Sequence, residues 1–380
     1  MTPTRILIAP NAFKHSLEAP EAALAIQQGF QQSRLTCVCD CFPVGDGGDG
    51  TGELMIQKLN GSQITSRVND PFGNPIDASF GIVNEGQTAV IEMANASGIR
   101  LVRADDLNPL KATSFGTGEQ IKLALEKGVS KLVLAIGGSA TVDGGTGILR
   151  ALGIRFLDTT GQELATPEQL SDLATIDTSG LDERIRQCEI TILCDVDNTL
   201  LGPDGSAAVF GPQKGATPQM VQQLDASLAR FARIAHQQTG IDMTVLKHGG
   251  AAGGVAAGLH TFLNAKLVNG IDFFLEFTNF DQAVSQADLV ITGEGSIDEQ
   301  TLQGKGPYGV AYQAKLRNLP VIGLAGKIPL EPSEQLNDYF DTLLAIGNGP
   351  TDLSNALAST RTNLIRVATQ LGNLLAQINA

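Results

Sequence analysis

The chain has 380 residues, 42% hydrophobic and 17% charged, with a formal net charge of −14 from 26 basic and 40 acidic side chains. That length and apolar content suit two or three globular domains with real cores and exclude a disordered chain. The charge, with no basic patch interleaved with aromatics, argues against nucleic acid and against an anionic membrane surface as partners.

No apolar stretch approaches the ~18 residues of a membrane span. The N-terminus runs straight into Arg5-Ile6-Leu7-Ile8-Ala9-Pro10, which is too short for a signal sequence and reads as a first strand. A helix follows, with Pro20 in its first turn and Ala22, Ala23, Ile26 and Phe30 on one face. The second strand spans about residues 37–44. Its Cys37, Cys39 and Cys41 alternate onto one face, as small buried thiols or as a metal or redox set; no neighbouring His completes a zinc site. Five cysteines, an odd number, fit a reduced cytoplasmic protein. The next helix opens after a Gly/Asp loop and ends near Gly61.

Strands are expected over 64–68, 76–83 and 88–93, joined by short turns and so antiparallel. Alternation then resumes, with a helix over 117–127, a strand over 132–136, a helix after Gly145, a strand over 190–194 and a helix from Pro218 carrying Leu224, Leu228, Phe231 and Ala235. Runs 289–292, 321–325 and 343–346 are strands with helical spacers, and one last helix covers about 353–377. The fold class is α/β with two domains. One is a parallel-sheet domain built from both chain ends, residues 1–62 plus 286–380; the other, with a mixed sheet, is inserted as residues 63–285.

The chemistry concentrates where glycines meet acids at the ends of apolar runs. Gly45-x-Gly47-x-x-Gly50 matches a dinucleotide fingerprint, yet Asp46 and Asp49 stand where a pyrophosphate would lie, and the motif follows the second strand. A metal or substrate-hydroxyl site, a structural turn and NAD binding all stay open there. Gly137-Gly138-Ser139-Ala140-Thr141 offers backbone amides and two hydroxyls without an acid, which suits a phosphate cradle or a tight strand-to-helix turn. Residues 249–254, including Gly253 and Gly254, are small enough for close approach of a phosphate or of another backbone.

Asp195 and Asp197 end a strongly apolar strand and share a face, as ligands of one cation or as a solvated strand end. Lys214 lies between two glycines, positioned to meet a phosphate or to sit on the surface. Glu294 follows a strand of the parallel set, near the edge where such sheets bind ligands, and Lys305 is close in sequence. Lys14 leaves the first strand at the same kind of edge, beside His15 as an incidental loop residue or a general base. No Gly-x-x-x-x-Gly-Lys-Ser/Thr occurs, which excludes a Walker-A enzyme.

Seven segments in order carry a specific resemblance. They are 8–14 (Ile-Ala-Pro-Asn-Ala-Phe-Lys), 43–51 (Pro-Val-Gly-Asp-Gly-Gly-Asp-Gly-Thr), 91–94 (Ile-Glu-Met-Ala), 113–119 (Thr-Ser-Phe-Gly-Thr-Gly-Glu), 136–141 (Ile-Gly-Gly-Ser-Ala-Thr), 210–216 (Phe-Gly-Pro-Gln-Lys-Gly-Ala) and 287–295 (Ala-Asp-Leu-Val-Ile-Thr-Gly-Glu-Gly). Over essentially its whole length the chain resembles the bacterial glycerate kinases of type 1, ATP:D-glycerate phosphotransferases. His248 stands where that family commonly has Gly, and Thr199 where it has Pro.

The resemblance implies a Rossmann-like and a flavodoxin-like domain with the active site in the cleft between them. It implies an enzyme that transfers the ATP γ-phosphate to a hydroxyl of D-glycerate, usually giving 2-phosphoglycerate, with 3-phosphoglycerate as the other product, and with Mg²⁺ as cofactor. Homo-oligomerisation is left open. On this reading the amides of Gly137, Gly138 and the 249–254 loop, with Ser139 and Thr141, cradle phosphates, and Gly47 and Gly48 line the substrate. Asp195 is the first-choice metal ligand, Lys14, Lys214 and Lys305 offset charge, and Asp46 or Glu294 takes the hydroxyl proton. Two rivals stay open: an NAD-dependent oxidoreductase of a small hydroxy acid, and a non-catalytic two-lobed binding protein.

Overall fold

The computed structural model describes residues 3–331 and 333–378. In chain order the strands are β1 (Thr4–Ile8), β2 (Cys37–Cys41), β3 (Ser62–Asn69), β4 (Pro75–Val83), β5 (Thr88–Glu92), β6 (Lys131–Ala135), β7 (Arg155–Leu157), β8 (Thr175–Asp177), β9 (Glu189–Cys194), β10 (Lys266–Asn269), β11 (Leu289–Ser296), β12 (Val321–Lys327) and β13 (Thr342–Ala345). They form a five-stranded sheet ordered β13-β12-β11-β1-β2, a six-stranded sheet ordered β10-β9-β6-β5-β4-β3, and the small pair β7-β8.

Two compact units result, Met1–Asp46 with Ile271–Ala380, and Gly47–Gly270. The sequence places these boundaries at 62/63 and 285/286; the chain divides at 46/47 and 270/271 instead. The helix Thr51–Lys58 serves the inserted unit: a Cβ on Gly81 of β4 would fall 2.2 Å from Ile56, and one on Gly61 2.5 Å from Val83. Ile271 packs in the end unit, 2.5 Å from where a Cβ on Gly309 would lie.

In the end unit every strand pair is parallel, with Ile6 beside both Leu289 and Cys39. The helix Ala19–Gln31 buries Ala22, Ala23, Ile26 and Phe30, as its 3.6-residue spacing requires, and is entered through a Glu18/Glu21 capping box. Those side chains join Ile6, Ile8, Ile291, Leu324 and Leu364 in one core. Cys37, Cys39 and Cys41 flank it half-buried and pack as small hydrophobes, and burial pushes the Cys39 thiol up to about 12 and that of Cys41 up to about 11. The C-terminal segment is two helices, Leu353–Ala358 and Thr360–Ile378, rather than one.

In the inserted unit β3-β4-β5 are antiparallel, as the short turns require, and β5, β6, β9 and β10 are parallel. β10 escapes the sequence pattern because Lys266-Leu-Val-Asn is four residues long and half polar. The helix Pro218–Thr239 buries Leu224, Leu228, Phe231 and Ala235. Phe231 meets Phe156 edge-on at 5.7 Å and stacks on Phe262 at 6.0 Å. Among the described residues no helix is long and apolar enough to cross a membrane.

Candidate functional site

In both units the candidate polar groups gather at or near the carboxyl ends of parallel strands, the edge where such sheets bind ligands. In the end unit the chain leaves β1 through Pro10 and Asn11 and turns back at Phe13–Leu17, with His15 left-handed at φ 67°. Asn11 organises this edge. Its backbone N–H donates to the Gly293 carbonyl at 2.8 Å, and its Nδ2 donates to Asp46 Oδ2 at 2.8 Å. Sequence alone does not single Asn11 out, because its role depends on a partner 35 positions away.

Glu294 does not follow the strand but lies within it. β11 pairs with β12 as far as Ser296, with Gly293 beside Leu324 and Glu294 beside Ala325. Gly293 is there for a close approach, since a Cβ would lie 2.1 Å from the Leu324 carbonyl oxygen. Glu294 is only 7% exposed, and Thr301 Oγ1 donates to its Oε1 at 3.0 Å. Burial drives its carboxyl up to about 7; the Asp46 charge adds to the rise, while Lys305, Thr301 and Lys14 pull it back down. Asp46, Glu294, Lys14 and Lys305 thus share one electrostatic neighbourhood, two acids and two cations.

In the inserted unit the loops after β6 and β9 are held by a second set of contacts. Gly47 and Gly48 lie against Gly137: the Gly137 N–H donates to the Gly47 carbonyl at 3.3 Å, and a Cβ on Gly137 would fall 2.6 Å from Gly48 Cα. Lys214, expected in a loop, is 3% exposed, and its Nζ donates to Ser139 Oγ at 2.8 Å and to the Thr141 carbonyl at 2.7 Å. Burial lowers its ammonium to about 7, against the pull of Asp143. The Lys214 side chain therefore ends beneath the 139–141 backbone and not on the surface.

Asp143 is fully buried and accepts from the Ser114 N–H and Oγ and from the Gly145 and Gly147 amides, which ties that loop to the start of the helix Thr146–Ala151. Nothing in a single sequence separates such a buried clamp from a reactive aspartate.

The 249–254 segment is backbone packed on backbone. Ala252, Gly253 and Gly254 are all left-handed, and a Cβ on Gly253 would lie 2.1 Å from the Thr141 carbonyl oxygen. The Gly253 carbonyl accepts from the Gly144 N–H at 2.9 Å. His248 is left-handed at φ 66°, and its Nδ1 sits 2.7 Å from the Val196 carbonyl and 3.2 Å from Asp197. Asp197 also pairs with Lys247. Asp195, one residue past β9, is exposed. A magnesium ion carried by a nucleotide keeps water and phosphate ligands and asks for only one or two carboxylates, so this donor set fits it. No cluster of three His, Cys, Asp or Glu suited to a metal occurs among the described residues.

The dinucleotide reading of Gly45–Gly50 fails on geometry. The amides that would meet a pyrophosphate at the start of the helix Thr51–Lys58 already serve a carboxylate: Gly52 N–H donates to Glu92 Oε1 at 3.1 Å, and Gly50 adds a second backbone bond. Glu92, 7% exposed, is pushed up to about 7 mainly by burial.

Residues 6–376 match the model of the glycerate kinase family. The chain belongs to that family. It is accordingly a kinase that phosphorylates an alcohol group. It is 46% identical to the glycerate kinase of Bacillus subtilis (strain 168) over 96% of each chain, and 40% identical to the glycerate 2-kinase of Escherichia coli (strain K12) over 98% of each. Among solved structures it is similar to a protein assigned as glycerate kinase 2 from Salmonella typhimurium LT2, with TM-score 0.85, 41% identity and all of both chains covered. This family member therefore carries its buried acid pair on the end unit and its glycine-lined, lysine-backed loop on the inserted one.

Proposed function

We propose that this enzyme transfers the γ-phosphate of ATP to the 2-hydroxyl of D-glycerate, giving 2-phosphoglycerate. The observation that carries the chemistry is Glu294, a buried carboxyl near neutrality that shares its surroundings with Asp46, Lys14 and Lys305. A general base works best with a pKa close to the working pH. Glu294 accepts the hydroxyl proton, and Asp46, fixed by Asn11, orients that hydroxyl. Lys14 and Lys305 offset the carboxylate of glycerate and the charge that builds up on the moving phosphoryl group.

The amide of Gly138 and the hydroxyl of Ser139 receive phosphate oxygens, while Gly137, whose N–H serves the Gly47 carbonyl, and the fully buried Thr141 shape the loop together with Gly48, Gly253 and Gly254. Lys214 holds the loop from within. Asp195 would hold Mg²⁺, which would supply neutralisation of phosphate charge when bound. The choice of the 2-hydroxyl is supported by the name of the Escherichia coli relative, a glycerate 2-kinase.

The test is ADP release on mixing the protein with D-glycerate and Mg·ATP, followed by ³¹P NMR of the product. Release that depends on glycerate, with phosphorus coupled to the C2 proton, is the expected result. Absence of glycerate-dependent ADP overturns the activity, and coupling to the C3 protons overturns the regiochemistry alone.

A further inference from the structure

A cavity of about 380 Å³ opens in the inserted unit, lined by residues of the helix Thr51–Lys58, the short helix Ala94–Ser97 and the sheet. This is the size of an ordinary small-molecule pocket. Gln63 of β3 lies opposite Gly81 of β4, and Gly81 opposite Val90 of β5. Alternation therefore places Gln63, Ser79, Val90 and Glu92 on one sheet face. Ile56 and Leu101 are also in the lining, Leu101 being 42% exposed. Gly138, left-handed at φ 69°, is part of the lining as well, so the cavity reaches the loop that follows β6.

The charges select among ligands. Asp49, Glu53, Asp77 and Glu92 all line the cavity, and among the described lining residues only Arg100 is cationic. That guanidinium already pairs with Asp49 at 2.8 Å. A glycerate carboxylate or a polyphosphate placed here would face uncompensated negative charge. A neutral, hydroxylated ring compound would not. Its hydroxyls and amino groups find carboxylate, hydroxyl and amide acceptors, and its ring faces find Ile56, Val90 and Leu101. Carboxylates binding ribose hydroxyls are a recurrent solution to nucleoside recognition.

We propose that this cavity takes the nucleoside end of ATP, with the ribose hydroxyls toward Asp49 and Glu92 and the phosphates leading past Gly138 onto the 137–141 loop. The assignment rests on the kinase reading above.

The chain contains no tryptophan, so Gln63→Trp places a single indole at the cavity, on an exposed strand position. Titration of that variant with adenosine, ADP and D-glycerate is read by its fluorescence, beside steady-state kinetics. Adenosine and ADP should each give a saturable change and D-glycerate none. KM for ATP should rise about tenfold with KM for glycerate near the wild-type value. Leu101→Trp, at another exposed lining position, repeats the reading should the first variant fold poorly. A response to D-glycerate but not to adenosine overturns the assignment. So does silence toward both nucleosides in the two variants with KM for ATP unchanged, while wild-type protein still releases ADP with glycerate. Loss of glycerate-dependent release in the wild type is a separate result, which removes the kinase reading itself.

Discussion

Glu294 in the end unit and Lys214 in the inserted unit make an instructive pair. Each is buried, and in each burial is the main cause that brings the pKa to about 7. Their partners differ. Glu294 accepts a hydrogen bond from Thr301 and stands in a field of two cations and a second acid. Lys214 donates to two acceptors of a single loop and feels the charge of Asp143. A shifted pKa therefore marks both, but the surroundings divide them into a group poised to exchange a proton and a group poised to hold a shape.

The comparison is broken most sharply at Glu294. Glu294→Gln should lower kcat by about 10²–10⁴-fold with modest change in KM. In the wild type, kcat/KM should rise as pH increases through about 7, because the base works only once deprotonated, and the variant should lose that limb. Asp46→Asn should cost about 10²-fold in kcat; near-normal turnover in a folded variant would remove Asp46 from the chemistry.

On the other side, Gly253→Ala tests how firmly the Lys214 loop is seated. Its φ of 75° and the 2.1 Å approach to the Thr141 carbonyl predict a loss of about 3 kcal/mol, measured by urea unfolding. Lys214→Met should raise KM for ATP about tenfold and leave kcat within about threefold, the signature of a distorted binding loop. A kcat collapse at unchanged KM would instead place Lys214 against the moving phosphoryl group and erase the distinction.

Glu92 offers the smallest and most specific check, since it shares the near-neutral pKa yet serves as a helix cap. Its carboxyl prefers the protonated form in the fold, so its contribution to stability falls as pH rises from about 4.5 to about 7. Glu92→Gln, which cannot titrate, should gain about 1–2 kcal/mol on the wild type between pH 5 and pH 8, read from thermal melts at both.

These particulars show what a sequence can carry. The apolar runs of β5, β6, β9 and β12 and the buried stripes of Ala22–Ile26–Phe30 and Leu224–Phe231 were legible, because period and burial are the same fact for a strand or an amphipathic helix. Lys14, Asp46, Glu294 and Lys305 stood out one by one beside apolar runs, but that they share one neighbourhood, with Glu294 inside β11 and not after it, emerges only from the fold. Lys214 was not. Glycine and proline around it suggest a surface turn, while its acceptors Ser139 and Thr141 lie 75 and 73 residues away. Gly293 and Gly295 suggested a loop for the same reason, although Gly293 thins the backbone for a neighbouring strand. Asp143 and Glu92 look like any acids until burial and backbone donors are known.

The placement of β1 between β2 and β11 has a consequence for the order in which this molecule is made. The inserted unit is a single uninterrupted stretch, and nascent chains fold domains as they emerge. The first two strands, by contrast, wait with one edge of β1 unpaired until β11 leaves the ribosome, a closure at very large sequence separation and intrinsically slow. Synthesis halted after residue 270 should therefore leave a protease-resistant 47–270 core behind an exposed N-terminal strand–helix–strand segment, which is the stretch where a chaperone would have most to protect.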